Sequence, residues 1–265
     1  MNIFWREMTA NRKGVIIWGV CLVLLVASGM AKYTAYSAAG AQSAQLLTGL
    51  PQPMKALLGF GSFDPTTIRG YFAMLFLYIE ITTTVHAALL GSGIITKEER
   101  DKTTEFLMVK PVGRYTILTS KLAAAFTNVG ILNLITWGSS LILVQHYSKG
   151  HDVFSEISAF MLSMFLVQII FLALGAALAA SQRFAKSAGS ITIGILLMGY
   201  VISRITSMTD RLNVLNVLSP FQYFSYAKIV NGQGLNTLVT VLALVLFAAL
   251  VVYTYLSYQR RDLGV

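Results

Sequence analysis

Six stretches of this chain are long, apolar and almost free of charge, and basic clusters or Gly- and Pro-containing connections separate them. They cover about residues 14–36, 70–95, 115–146, 157–182, 187–204 and 235–257. A helix of about 20 residues crosses a hydrocarbon core of ~30 Å, and lipid offers no substitute partner for an unpaired backbone N–H. Six such stretches therefore constrain the chain to an all-α membrane protein, a single transmembrane domain of six helices over 1–265. Hydrophobic residues make up 55% of the chain and charged ones 12%, with mean hydropathy +0.67, which excludes an ordinary soluble domain. A cleaved signal peptide would also have a basic start and small residues such as Ala27, Ser28 and Gly29. The first run is longer than a usual signal core and further spans follow it, so it reads as a retained helix.

The net charge of +9 is scattered between apolar runs, so it speaks of topology and not of nucleic acid. With the N-terminus inside, 13 of the 20 Lys and Arg fall on the cytoplasmic side and seven outside. Both termini are then cytoplasmic. The only cysteine, Cys21, lies within an apolar run, so no intrachain disulfide and no cysteine-based metal site is expected.

Between the spans the sequence is more varied. In residues 1–13, Met1, Phe4, Trp5 and Met8 share one helical arc, and Arg6, Glu7 and Lys13 lie mostly on the other. This predicts an interfacial helix, although Arg12 falls on its apolar side. The connection at 38–69 is punctuated by Pro51, Pro53, Gly59, Gly61 and Pro65, and its Leu spacing predicts short surface helices. The connection at 204–234 carries apolar pieces around Leu215, Val217 and Leu218 and a Ser219-Pro220-Phe221 turn.

Most of the remaining charge is gathered in Ile94 to Lys121, IITKEERDKTTEFLMVKPVGRYTILTSK. Thr96 and Glu99 have capping-box spacing, and Glu98 and Lys102 stand at i,i+4 in the favourable order. Pro111 and Gly113 mark a stop, so a short cytoplasmic helix is expected over 96–111. A solvated linker helix would explain the charges. It would not explain the apolar patch Phe106, Leu107, Met108 and Val109.

The motifs of soluble chemistry are missing. No G-x-x-x-x-G-K-S/T run and no H-E-x-x-H run occurs, and His86, His146 and His151 are scattered, so neither a P-loop nor a zinc site is expected. The Glu98-Glu99 pair brings intramembrane proteases to mind, but no second intramembrane carboxylate or histidine cluster completes such a site. Catalytic and metal-ligating residues are therefore not expected in this chain. Glu80 stands ten residues into the second span, roughly 15 Å deep. Its helical face continues through Thr84, Ala87, Ala88 and Gly91, small residues that permit close packing. Two readings stay open: Glu80 and Thr84 line a translocation route, or Glu80 is a hydrogen-bonded pin between helices. His86 is expected to be a packed residue.

The run EERDKTTEFLMVKPVGR resembles the segment between the second and third spans of type-2 ATP-binding-cassette (ABC) transporter permeases. Glu98, Glu99, Thr103, Glu105, Leu107, Pro111, Val112, Arg114 and Lys121 carry the resemblance. It extends to Leu218–Phe221 (LSPF), the closing Arg261-Asp262-Leu263, the external LPQPMKALLG segment and the six-span layout. The family commonly has Gly where this chain has Lys102, and often Ser where it has Gly113.

The resemblance implies that 96–111 is a coupling helix docking on a separate ABC ATPase subunit. Its expected contacts are Glu98, Glu99, Arg100, Thr103, Glu105, Phe106, Leu107, Met108, Pro111 and Arg114. It further implies no cofactor in this chain, with ATP and Mg bound by the partner. The other partners are a second permease chain, identical or related, and the lipid bilayer of a bacterial plasma membrane. The implied activity is export of a peptide, antibiotic, lipid or other amphipathic substrate. An ion-coupled secondary transporter using Glu80, or a membrane anchor recruiting a cytoplasmic partner, are the competing expectations.

Overall fold

A computed structural model of the chain describes residues 3–38, 49–51, 54, 55, 64, 66–103, 112–148, 150, 152–181, 185–208 and 216–260. Among them no strand occurs. Five long helices come first: α1 (Ile3–Ala38), α2 (Ile68–Arg100), α3 (Arg114–Tyr147), α4 (Phe154–Ser181) and α5 (Ala185–Thr206). A 3-10 turn at Pro220–Gln222 and the short α6 (Tyr226–Val230) lead to α7 (Thr237–Arg260). All but α6 are long and apolar enough to cross a membrane. Successive long helices run in opposite directions, so α1 begins and α7 ends on one face, called here the terminal face.

Helix α4 is the centre of the bundle. It packs on α2, α3, α5 and α7, and its residues from Phe160 to Ala180 are nearly all buried. Its closest approach is to α2, through small residues. A Cβ on Gly91 would strike the Leu172 carbonyl, and one on Gly175 would lie 2.5 Å from Ala88 O and 2.9 Å from Ser92 N. The face of Thr84, Ala88 and Gly91 thus meets another helix at backbone distance, as small residues allow in membranes. Further from the terminal face the same two helices interlock through Phe72, Phe76 and Phe160, with ring centroids 4.7 Å apart for Phe76 and Phe160. Large apolar side chains such as Ile17 and Leu24 on α1 and Leu238 and Val252 on α7 point outward, where lipid would solvate them.

Two helix boundaries differ from expectation. Helix α1 shows no break near Lys13, so the predicted interfacial helix is the first part of a 36-residue rod. The groups that could have capped a new start bond backwards instead: Thr9 Oγ1 donates to Trp5 O at 2.9 Å and Asn11 Nδ2 to Glu7 O at 3.0 Å. Helix α2 likewise continues past residue 95 to Arg100. Thr96 is therefore interior, its hydroxyl donating to Ser92 O at 3.0 Å, and the capping box expected with Glu99 does not form. Ile94 and Ile95 are buried in the bundle and keep the backbone helical where a cap would need it to leave. Lys102 falls beyond the helix end, so the i,i+4 pair expected with Glu98 is also absent. The first part of the predicted helix 96–111 is thus the last turn of α2, and residues 104–111 lie outside the described ones.

The connection after α5 enters the bundle. Ser219 is buried and donates to Gly199 O at 2.8 Å. The Phe221 ring sits 5.3 Å from Phe171 and 5.7 Å from Tyr200. This inserted turn carries α6 inward against α2 and α4.

Substituting Gly175 by Val should separate α2 from α4, because the new side chain meets rigid backbone. The expected outcome is loss of monodisperse protein in size-exclusion chromatography, whereas Gly130→Ala, with open space around it, should leave the profile unchanged.

Candidate functional site

At the terminal face three helices are joined by five charged side chains. Glu98, in the last turn of α2, accepts from Arg6 Nη2 of α1 at 2.9 Å and forms an ion pair with Lys121 of α3. Arg6 also pairs with Glu7 at 2.7 Å, and Lys97 stands 3.5 Å from Glu7. Lys121 Nζ makes a second bond, to Ile94 O, at 2.7 Å. The Glu7 side chain is 0% exposed, that of Lys121 1% and that of Glu98 9%, so these are buried charges. A buried pair of this kind is held by complementarity, and removing one partner typically costs about 3–5 kcal/mol.

The chain leaves α2 at this cluster in a defined way. Lys102 takes a left-handed φ of 54°. Thr103 N donates to Glu98 O at 2.8 Å and Lys102 N to Glu99 O at 3.3 Å, the two bonds of a Schellman ending. The position is one that Gly fills without strain, and it is the position where the resemblance has Gly.

The sequence-predicted coupling residues fall into three groups. Glu98 is buried at the cluster's centre and Glu99 is half-buried beside it, while Arg100 is exposed 3.4 Å from Asp101. Thr103 is exposed just past the helix end, and Arg114 opens α3, its Nη1 donating to Gln259 O of α7 at 3.1 Å. Glu105, Phe106, Leu107, Met108 and Pro111 lie outside the described residues. Sequence reasoning did not find Arg6 and Glu7 as members of the site. A signal existed, since Glu7 is the only acidic residue before Asp64 and sits among Arg6, Arg12 and Lys13. Lys121 entered only through the resemblance, with no role.

Glu80 has a partner that its sequence neighbourhood did not reveal. The Tyr226 hydroxyl of α6 donates to Glu80 Oε2, and the Tyr226 ring is enclosed by Phe76 at 5.4 Å and Phe160 at 5.8 Å. Thr84 Oγ1 donates to Glu80 O at 2.6 Å, turned toward its own helix. Arg204, in the last turn of α5, lies over the Tyr200 ring at 5.3 Å and donates to Ser203 Oγ at 2.9 Å. The inserted connection is thereby latched to the middle of α2 by a carboxylate and a phenol. His86 packs on Trp18 of α1, 5.0 Å between rings. Among the described residues no group of three or more metal-ligating side chains is found.

Three substitutions follow from this geometry. Lys102→Gly should relieve about 1 kcal/mol of left-handed strain and raise the thermal midpoint of the detergent-solubilised protein. Tyr226→Phe should lower that midpoint more than Glu80→Gln does. Tyr226→Phe leaves a buried carboxyl without its donor, worth about 1–3 kcal/mol, and Glu80→Gln keeps an oxygen acceptor for the phenol. Differential scanning fluorimetry of the three variants compares them directly.

Over residues 1–263 the chain matches the family described as ABC-2 family transporter protein. No curated protein matches it.

Proposed function

Because the chain belongs to the ABC-2 family of transporter proteins, whose membrane proteins work with ABC ATPases, we propose that it forms half of an export pathway and receives its drive through the segment joining α2 to α3. The terminal face is then cytoplasmic, and a second permease chain completes the pathway. ATP and Mg belong to the ATPase subunit. The apolar patch Phe106 to Met108 docks on that subunit, and the bundle carries an amphipathic cargo such as a peptide, antibiotic or lipid.

The observation that supports this most directly is the position of the charge cluster. Glu98 and Lys121 stand on either side of the docking segment and are bonded to each other, and Arg6 adds α1 to the pair. A push delivered between residues 103 and 113 therefore reaches α1, α2 and α3 together. The ends of these helices move as one body, since displacing any one of them would expose an unpaired charge in a poorly solvated place. Movement of α2 is passed on to α4 through backbone-level contact at Gly91 and Gly175. The hydrogen bond from Tyr226 supports the reading of Glu80 as a pin over that of an ion site, because its carboxylate is already engaged.

Mild-detergent purification from the native membrane should bring an ATPase in equal amount, and changing Phe106, Leu107 and Met108 to Ser should release it. Glu98→Gln should keep the ATPase bound while lowering ATP-driven transport in sealed vesicles about tenfold or more. Adding Lys121→Met to it should return much of the thermal stability without returning transport. Monodisperse protein that purifies without any ATPase would overturn the proposal in favour of an ion-coupled or anchoring role.

A further inference from the structure

The side of the bundle between α3 and α7 is open. The two helices meet near the terminal face, where Thr119 Oγ1 and Tyr255 Oη lie 2.7 Å apart and the Tyr115 ring stacks on Tyr255 at 5.9 Å. They come together again only loosely at Phe126 and Phe247, whose ring centroids are 6.4 Å apart. Between these points lies a cavity of about 320 Å³ that opens sideways. Its floor is Leu172 and Ala173 of α4, both buried, and Ala123 of α3 and Val251 of α7 belong to its walls. Above it, at the terminal face, stand two exposed cations, Arg114 at the start of α3 and Arg260 at the end of α7.

We propose that this groove holds one acyl chain of an anionic phospholipid from the leaflet at the terminal face, with the phosphate between Arg114 and Arg260. Length supports this occupant. From Arg114 to Phe126 is twelve residues of helix, about 18 Å, which takes a chain from headgroup level to just past the middle of a ~30 Å core. Polarity is graded in the same order: guanidinium groups at headgroup depth, then the Thr119 and Tyr255 hydroxyls at the depth of ester carbonyls, then only carbon and the Thr127 side chain. Arg114 is already aligned by its bond to Gln259 O, which holds the guanidinium at the groove's mouth. Basic residues at the end of a crevice between membrane helices give preference for anionic headgroups. The site is lateral and separate from the Glu80 latch, and it requires only that the chain be embedded in a bilayer.

Native mass spectrometry of the whole chain, with any ATPase that accompanies it, tests this. The probes are phosphatidylglycerol and phosphatidylethanolamine with identical acyl chains. One phosphatidylglycerol per chain should survive activation that strips phosphatidylethanolamine. Ala123→Phe, which fills the groove from an exposed position, should abolish that retention. Arg260→Gln should keep a bound lipid but reduce the preference about fivefold. Equal retention of both lipids, or retention unchanged by Ala123→Phe and by a second groove-filling variant, Val251→Phe, would overturn the proposal. So would an intermolecular disulfide through Ala123→Cys in a Cys21→Ser background in membranes, which would assign the groove to a second copy of the chain.

Discussion

Taking a carboxylate or an ammonium out of water costs several kcal/mol, and Glu7, Glu98 and Lys121 are almost wholly removed from it. Such groups stay charged at tolerable cost only when their partners are already in place. Here those partners come from three different helices, so the pairing requirement also dictates how the ends of α1, α2 and α3 are arranged. Glu98 is the hinge of this arrangement because it satisfies two cations at once, one from each neighbouring helix. Apolar packing alone would leave these helices free to slide, since lipid tails are as apolar as the faces they would exchange. The charges fix their register.

Deeper in the bundle the same problem is met with smaller means. The α2–α4 contact uses Gly91, Ala88 and Gly175 to bring backbones together, where dispersion over many atoms replaces a hydrophobic driving force that lipid cannot supply. Several polar side chains in this zone find one another or a carbonyl: Asn133 reaches Met161 O at 3.1 Å and Gln168 Oε1 at 3.3 Å, and Trp137 Nε1 reaches Ser158 Oγ at 3.2 Å. On the face away from the chain ends, Arg69 joins Glu156 at 3.0 Å and ties α2 to the start of α4. The bundle is thus clamped by charge at both faces and by close backbone contact between them.

The helices themselves were readable because a charge-free run of about 20 residues has few other fates. Their ends were not, for a local reason. Around Thr96 and Lys13 the residues have the composition of a helix start, yet Thr96, Thr9 and Asn11 spend their polar groups on the preceding turn. Whether such a residue caps or bonds back depends on whether its neighbours are buried, and that is decided by other helices. The partners of Glu98 and Glu80 were hidden for a second reason. Arg6 is 92 residues from Glu98, and Tyr226 is 146 residues from Glu80 in what reads as an ordinary connection, so no spacing rule links them. The departure at Lys102 could be noted in the sequence, but its physical meaning required the left-handed φ.

The bond between Glu98 and Lys121 also has a consequence for recognition. Two residues 23 positions apart are joined, so the last turn of α2 and the early turns of α3 are tied together and close a ring at these two points. Closing a loop removes conformational freedom before any partner arrives. A protein that binds the ring has less entropy left to suppress than if it had to gather the same residues from an open chain, and affinity gained in this way needs no additional contact.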